Sequence, residues 1–164
     1  MVQLTLILDN LRSSYNVGSL LRTCDSAGVN HIICCGTTPY PRLPKDARDP
    51  VVINRNTREI AKSALGAEKT VKIEYYNDTS QAVSYLHQNG WVIYVLELAP
   101  NATNILDFKP KLPAALIVGN EVSGVSERIL NMCDEVLCIP QAGSKESLNV
   151  SVAAGIAIYQ LIRN

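Results

Sequence analysis

Several features that mark common protein classes are missing from this sequence of 164 residues. Lys and Arg balance Asp and Glu at 15 each, so the formal net charge is zero. This balance argues against a protein that coats itself in nucleic acid. No apolar run reaches the roughly 20 residues that a membrane span needs, and the first residues lack the basic and apolar regions of a secretory signal. These absences predict a cytoplasmic protein without a membrane partner.

The few cysteines and histidines argue against the usual metal and nucleophile sites. The five cysteines show no CxxC spacing, and Cys34 and Cys35 are adjacent in a predicted strand, where their side chains point to opposite faces. We therefore expect free buried thiols without a disulfide or zinc framework. Neither His31 nor His87 lies near the polar turns described below, so a His-based triad has no evident base. Carboxylate pairs and metal-ligand clusters are also missing, and no metal site is predicted.

What the sequence does contain is an alternation of short apolar runs and helical patterns. Apolar residues make up 47% and charged residues 18%, which is typical of a globular domain. Helices are predicted near residues 16–28, 57–65 and 80–88, and from about 147 onward. This alternation predicts one α/β domain over residues 1–164, with a mainly parallel six-stranded sheet covered by helices on both faces. The predicted strands are Leu4–Leu8, Ile32–Cys35, Val71–Tyr75, Trp91–Leu98, Ala115–Val118 and Val136–Ile139.

The basic residues are unevenly distributed along the chain. Residues 1–72 contain ten Lys and Arg against six Asp and Glu, although a solvated surface would show the same bias. The segment Thr37–Asn54 contains four prolines and is predicted to be a long loop, a kind of loop that often has a function. It includes Arg42, Lys45 and Arg48, and Arg55 follows it.

The first polar junction follows the first strand and spans residues 9–22. Asn16 is predicted to cap a helix that ends at Gly28, and Gly18 permits a close backbone approach. The helix N-terminus beside Arg12 and Arg22 would suit a phosphate, although a plain cap with a surface arginine is the more ordinary explanation of the pattern.

The second junction follows a buried strand as Val118-Gly119-Asn120-Glu121, with a second glycine at Gly124. Such a turn exposes backbone amides and carbonyls at the carboxyl edge of the sheet, where ligands bind in open α/β proteins. The segment matches neither GxGxxG nor a P-loop. Taken alone, it fits a sharp turn as well as a binding site.

The third junction runs from Ile139 and Pro140 through a glycine-containing loop to Ser147 and Asn149. Either Ser147 or Asn149 is suited to cap the last helix. The three junctions together offer polar, neutral and arginine side chains, which suit binding and orientation better than hydrolysis. Any catalysis there would depend on proximity and electrostatics.

In order along the chain, the three junctions resemble the three motifs of the SpoU family, RNA ribose 2′-O-methyltransferases of the SPOUT class. The resemblance covers essentially the whole chain. It implies a C-terminal trefoil knot, which is rare in proteins, and a homodimer with cofactor pockets near the subunit interface. The matching segments are Asn16-x-Gly18-x-x-x-Arg22, Val118-Gly119-Asn120-Glu121 with Gly124, and Ile139-Pro140 with Ser147-Leu148-Asn149-Val150-Ser151-Val152-Ala153.

The same resemblance implies S-adenosylmethionine as the cofactor and Arg22 as the principal catalytic residue. Because arginine stays protonated, our hypothesis is that Arg22 holds the target phosphate and stabilises the developing alkoxide. Asn16 would then fix Arg22 and the ribose, Glu121 would orient Arg22, and Ser147 and Asn149 would order the loop near the methyl group. The implied cofactor-binding residues are Leu96, Glu97, Val118, Gly119, Asn120, Gly124, Ile139, Pro140, Ser147, Leu148 and Asn149.

The implied substrate is RNA, with tRNA favoured over rRNA because the resemblance is closest to the compact tRNA-modifying branch. Larger relatives have extra terminal helices or an RNA-binding domain, and no separate RNA-binding domain is predicted here. The basic loop would therefore supply much of the RNA binding, unless an accessory protein helps. The expected RNA-binding residues are Arg12, Arg22, Arg42, Lys45, Arg48 and Arg55.

Two other interpretations stay open on the sequence alone. One is a nucleotide- or flavin-binding α/β protein, which the missing GxGxxG and Walker patterns argue against. The other is a non-catalytic RNA-binding subunit with the same fold. A module that only binds RNA would not need Asn16, Arg22, Glu121, Ser147 and Asn149 together.

Overall fold

The computed structural model describes residues 2–144 and 147–163. It contains a seven-stranded sheet in the order β3-β2-β1-β6-β4-β7-β5, and all of its strand pairings are parallel. The sequence predicts six of these strands, and the additional β5 is too short at two residues to produce an apolar pattern. The strands are β1 (Leu4–Asp9), β2 (His31–Cys35), β3 (Lys72–Tyr76), β4 (Val92–Leu96), β5 (Thr103–Asn104), β6 (Ala114–Val118) and β7 (Glu135–Cys138).

Helices cover both faces of the sheet. Leu6 and Ile7 are neighbours in β1 and both are fully buried, but they belong to different core clusters, one on each face. Helices α1, α2 and α5 contribute to the first cluster, whereas α3 and α4 contribute to the second. The predicted parallel α/β architecture is confirmed. The helices are α1 (Ser14–Ala27), α2 (Pro50–Ala64), α3 (Thr79–Gln88), α4 (Glu127–Leu130) and α5 (Val150–Ile162), with short 3-10 helices at Ala67–Lys69 and Ile105–Asp107.

Two helix starts differ from the prediction. The cap of α1 is Ser13, whose side chain accepts a hydrogen bond from the Asn16 amide, so the prediction of an Asn16 cap is wrong. Helix α2 begins at Pro50 and therefore includes part of the predicted loop. Asp49 caps it by accepting a hydrogen bond from the Val51 amide. Proline is favourable at the first helical position, because an N–H group there would have no partner within the helix. The predicted end of α1 at Gly28 is confirmed, with φ at 74°.

The contact between α1 and α2 depends on a missing side chain in the first motif. A Cβ atom on Gly18 would lie 3.0 Å from the amide nitrogen of Ala64, and closer still to the carbonyl oxygen of Ile60 and the hydroxyl of Ser63. Gly18 therefore permits the backbone of α2 to come close to the backbone of α1.

The expectation of free buried thiols is confirmed in part. All five cysteines are free, but only Cys24, Cys34 and Cys35 are buried, whereas Cys133 and Cys138 are partly exposed. Burial raises the pKa of the Cys24 and Cys35 thiols to about 12. Trp91, the only tryptophan, precedes β4 at the amino edge of the sheet and packs against the core cluster that includes α3 and α4. Among the described residues, no helix has the length and apolar character that crossing a membrane requires.

Candidate functional site

The polar junctions meet at one edge of the sheet. Because β1, β6 and β7 are parallel, the loops that follow them all leave from the carboxyl edge, and β4 pairs with both β6 and β7. Ligands of open α/β sheets bind at this edge. The fold thus brings together three segments that are far apart in the sequence.

Glu121 joins the second motif to the first. Its carboxylate accepts hydrogen bonds from the backbone amides of Arg12 and Ser13, at 3.0 and 3.3 Å, and from Nδ2 of Asn16 at 3.0 Å. Desolvation alone would raise the pKa of Glu121, but these hydrogen bonds hold it below its ordinary value. The partners of Glu121 are therefore the start of α1 and Asn16, whereas the sequence-based hypothesis gave it Arg22 as a partner.

Asn16 also contacts the third motif. Its Oδ1 accepts a hydrogen bond of 3.3 Å from Nδ2 of Asn149. Asn149 caps α5 by accepting from the Ser151 amide at 2.9 Å, which is one of the two caps that the sequence allowed. A continuous chain of hydrogen bonds, Glu121–Asn16–Asn149, thus connects the three motifs. Lys145 and Glu146, within the third motif, lie outside the described residues.

The loop after β6 is held in a tight turn. The side-chain oxygen of Asn120 accepts from the amides of Val122 and Ser123, and its Nδ2 donates to the Asn10 carbonyl at 2.7 Å. A Cβ atom on Gly119 would lie 2.7 Å from the Gly124 carbonyl carbon, so only glycine fits this turn.

Glu97, directly after β4, binds the C-terminal end of the same loop at Val125. One of its carboxylate oxygens accepts from the Val125 amide and the other from the Leu98 amide, each at 2.9 Å. Glu97 thereby adds a negative charge beside the turn.

These loops surround a cavity of about 380 Å³, which is within the range of about 300–1,000 Å³ for small-molecule sites. Within the part of the chain that the structure describes, every predicted cofactor-binding residue except Pro140 lines this cavity. The cavity is also lined by Cys138, Gln141 and Ala153. They were not among the predicted cofactor-binding residues, although Gln141 lies in the third junction and Ala153 ends the third motif. The lining residues shared with the prediction are Leu96, Glu97, Val118, Gly119, Asn120, Gly124, Ile139, Ser147, Leu148 and Asn149.

The chemistry of this cavity suits a ligand that is partly apolar and positively charged. Leu96, Val118 and Ile139 supply apolar walls, while the carboxylates of Glu97 and Glu121 lie among the lining residues. The described residues contain no group of three or more His, Cys, Asp or Glu side chains suited to a metal ion.

Arg22 lies outside this cavity in the single chain. Arg22 is exposed on α1 and does not belong to the described lining of the cavity. It lies two turns after the exposed Tyr15, so the two side chains are on the same face of α1. The structure thus joins Asn16, Glu121 and Asn149 but does not bring Arg22 into contact with them.

Apart from Arg22, the predicted RNA-binding residues separate into two groups. Arg12, Lys45 and Arg55 are exposed at a second, larger cleft next to the cavity. Arg42 donates to the side chain of Asn54 at 3.0 Å, and Arg48 is held by Asp46 and two backbone carbonyls.

A parallel sheet with polar turns around a cavity at its carboxyl edge is the architecture of open α/β proteins that bind ligands at that edge. The model of the SpoU rRNA Methylase family matches residues 3–159, and the chain belongs to this family, as its motifs predict.

Known relatives agree with this assignment. The chain is 33% identical over 157 residues to a Staphylococcus haemolyticus protein assigned to the TrmH family of tRNA/rRNA methyltransferases. The match covers 96% of this chain and 57% of that protein, so the chain spans less than two thirds of the relative's length.

Solved structures show the same fold. A TrmH/SpoU tRNA modifying enzyme of A. aeolicus is 29% identical, with a TM-score of 0.81 over 99% of this chain and 75% of that one. An AdoMet-bound rRNA methyltransferase of Sinorhizobium meliloti is 25% identical, with a TM-score of 0.79 over 96% of this chain and 54% of that one. The cofactor in the second structure is the one that the motifs predict.

Proposed function

We propose that this protein transfers a methyl group from S-adenosylmethionine to a ribose 2′-hydroxyl of RNA. The observation that carries the proposal is the Glu121–Asn16–Asn149 chain of hydrogen bonds, which draws the three family motifs around one cavity. When bound, S-adenosylmethionine supplies an electrophilic methyl group on a positively charged sulfur. The apolar walls and the two carboxylates of the cavity fit its adenine and its positive charge.

In this proposal the chain's residues mainly bind and orient. Glu121 fixes the start of α1 and Asn16, and Asn149 fixes the start of α5, so both edges of the cavity are held in one geometry. Arg22 holds the phosphate of the target nucleotide and stabilises the alkoxide that develops at the 2′-oxygen. The oxygen–methyl bond forms as the sulfur–methyl bond breaks, and the 2′-hydroxyl proton passes to solvent or to a phosphate, because Arg22 cannot accept it. Ser147 orders the loop beside the reacting methyl group.

We also propose that two copies of the chain form the active protein. Ala154, Ala157 and Ile158 of α5 are buried in the core, yet Val152 and Tyr159 on its outer side are 52% and 51% exposed. A helix that is apolar all round is normally covered on all sides.

The neighbouring helix α1 extends this surface. Tyr15 is 67% exposed, and Arg22 lies on the same face of α1. A second copy would cover the face of α1 and α5, and it would put Arg22 at the subunit interface. This arrangement accounts for the distance of Arg22 from the cavity of its own chain.

A trefoil knot at the C-terminal part of the chain belongs to the same proposal. In support, β6 and β7 lie on opposite sides of β4, so the chain crosses β4 between them and then returns in α5 to pack on α1. A crystal structure traced through residues 139–163 tests the knot, and a path that passes outside the preceding loops would contradict it.

We propose tRNA rather than rRNA as the substrate, and the cytoplasm, where tRNA is used, as the place of action. In support, the A. aeolicus enzyme with 29% identity is described as tRNA modifying, although the S. meliloti enzyme is described as an rRNA methyltransferase.

The decisive experiment is methyl transfer from labelled S-adenosylmethionine to unmodified total tRNA and, separately, to rRNA, followed by nucleoside mass spectrometry. We expect a 2′-O-methylnucleoside in tRNA that disappears with Arg22→Ala. If Arg22→Ala keeps normal turnover, the proposed catalytic role of Arg22 is wrong. If the variant loses only RNA affinity, Arg22 holds the phosphate without stabilising the alkoxide. Cofactor binding without transfer to either RNA would indicate a missing partner or another RNA. Absence of both transfer and cofactor binding would favour a non-catalytic RNA-binding subunit.

A further inference from the structure

A second cleft, of about 920 Å³, lies beside the cofactor-type cavity. Its walls are formed by the loop between β2 and α2, the first half of α2, the end of β3 and the segment that leads into α1. Arg12 lines this cleft, and its backbone amide bonds to Glu121, which lines the other cavity, so the two spaces meet at this contact. We call this second space the basic cleft, after its cationic residues Arg12, Lys45 and Arg55.

One wall of the basic cleft is held rigid by Arg48. Its guanidinium donates to both carboxylate oxygens of Asp46, at 2.9 and 2.6 Å, and to the carbonyls of Tyr40 and Pro41. The guanidinium carbon also lies 3.4 Å from the centre of the Tyr40 ring. The Tyr40 ring in turn stacks on the ring of Tyr75, with 4.3 Å between the ring centres. Arg48 therefore has a structural role in this wall, and it neutralises Asp46, whose side chain is only 4% exposed.

The charges left free in the cleft are all positive. The side chains of Arg12, Lys45 and Arg55 are exposed and make no hydrogen bond or ion pair within residues 2–144 and 147–163. Asp46 is the acidic residue among the lining, and its charge is already matched by Arg48. A concave surface with unmatched charges of one sign attracts a ligand of the opposite sign.

We propose that the basic cleft binds the sugar-phosphate backbone of single-stranded RNA adjoining the target nucleotide. Arg12, Lys45 and Arg55 each contact a phosphate, and Asn56 and Asn77 provide hydrogen bonds beside them. A strand whose target ribose lies at the mouth of the cofactor cavity continues past the Arg12–Glu121 contact and into this cleft. The inference rests on the proposed function for the identity of the ligand, and it leaves Arg42 and Arg48 out of RNA binding.

The test uses the full chain and a single-stranded RNA oligonucleotide of about ten nucleotides, a length typical of single-strand binding sites. The variant Arg12→Gln/Lys45→Gln/Arg55→Gln keeps the polar character of these positions and removes three charges. Each lost phosphate contact reduces the slope of log affinity against log salt by about 0.7, so we expect a slope shallower by about 2.

The matched control is Arg58→Gln, one turn after Arg55 on α2 and outside the cleft lining. We expect its salt slope to equal that of the wild type. Arg42→Gln should behave likewise. Calorimetry with S-adenosylmethionine should give the same affinity for all of these variants, because none of the changed side chains lines the other cavity.

Each outcome separates the two proposals. An unchanged salt slope in the triple variant, or no binding of the oligonucleotide by the wild type at low salt, overturns the inference about the cleft. Methyl transfer by the wild type together with an unchanged slope leaves the proposed function standing without it. A shallower slope without methyl transfer to any RNA establishes the cleft as an RNA site and counts against the enzymatic proposal.

Discussion

Arg48, which the sequence predicts to be an RNA-binding residue, also has a structural role within its own loop. Its position in a basic, proline-rich loop suggests contact with RNA, but a guanidinium with five donors also matches a carboxylate and nearby carbonyls. In the structure it satisfies Asp46 and two carbonyls and covers the ring of Tyr40. Arg48 therefore shapes the loop that presents the free charge of Lys45.

Replacing Arg48 with glutamine should destabilise the protein by about 2 kcal/mol at neutral pH, because hydrogen bonds to a charged group are lost. Arg48 holds the pKa of Asp46 well below its usual range. A lowered folded-state pKa contributes stability above the unfolded value of about 3.9, and this contribution is lost as pH falls through the lower folded value. The difference between wild type and variant should therefore shrink below about pH 4 in urea unfolding.

A useful control for this experiment is Arg48→Lys, which keeps the charge but not the paired hydrogen bonds. We expect it to fall between the wild type and Arg48→Gln. Equal stability of all three proteins at neutral pH would mean that the pair with Asp46 contributes nothing.

Among the secondary-structure elements, the packing of α1 on α2 makes a strict demand on the sequence. Gly18 lies in the contact between the two helices, against Ile60, Ser63 and Ala64 of α2. A glycine inside a helix ordinarily costs about 1 kcal/mol relative to alanine. Here the cost is offset because the two backbones can come together.

Substituting Gly18 with alanine should lower the free energy of unfolding by about 1–3 kcal/mol, the usual penalty for overpacking. Gly155 in α5 provides a control for packing within one chain, because a Cβ atom there would meet only the Thr23 methyl group of that chain, at 3.7 Å. Gly155→Ala should be neutral or stabilising by up to about 1 kcal/mol. Chemical denaturation of the two variants measures both effects, and a neutral Gly18→Ala would show that the helices can move apart freely.

Most of the strands and helices could be predicted from the sequence. Buried parallel strands have continuous apolar runs. Six of the strands could therefore be predicted, with both ends of each within about two residues of their place in the structure. The start of α2 was missed because the prolines nearby indicated a loop, although Asp49 and Pro50 form a typical helix start. The cap at Ser13 was missed because Asn16 also fits a cap by composition.

The site could be predicted in part for a different reason. Residues that line the cavity follow strands directly in the sequence, so the parallel sheet predicts that they meet. The partner of Glu121 could not be predicted, because hydrogen bonds between Glu121 and Asn16 join segments that only the folded chain brings together. Arg22 was expected in the same cluster, and a single chain does not put it there.

For the molecule as a whole, the uncovered face of α5 should control assembly. Tyr159→Glu introduces a charge into this face, and we expect it to weaken a dimer by at least about tenfold, a change typical of a buried interface tyrosine. Tyr85→Glu on α3 is the matched control, since Tyr85 is 52% exposed and Tyr159 is 51% exposed. Sedimentation velocity over a range of concentrations measures the change. A wild type that stays monomeric at high concentration would contradict the dimer, and equal effects of the two substitutions would show that α5 is not the interface.

The parallel arrangement of the sheet also separates the protein's optical reporter from its binding surfaces. Trp91 enters β4 from the amino edge, whereas the cavity opens at the carboxyl edge of the same strands. Its indole emission will therefore follow unfolding of the core cluster against which it packs and will stay constant when a ligand binds. Tyr40 and Tyr75, by contrast, line the basic cleft as a stacked pair. Near-ultraviolet circular dichroism of the tyrosines and fluorescence of the tryptophan will thus report on two different events in one sample.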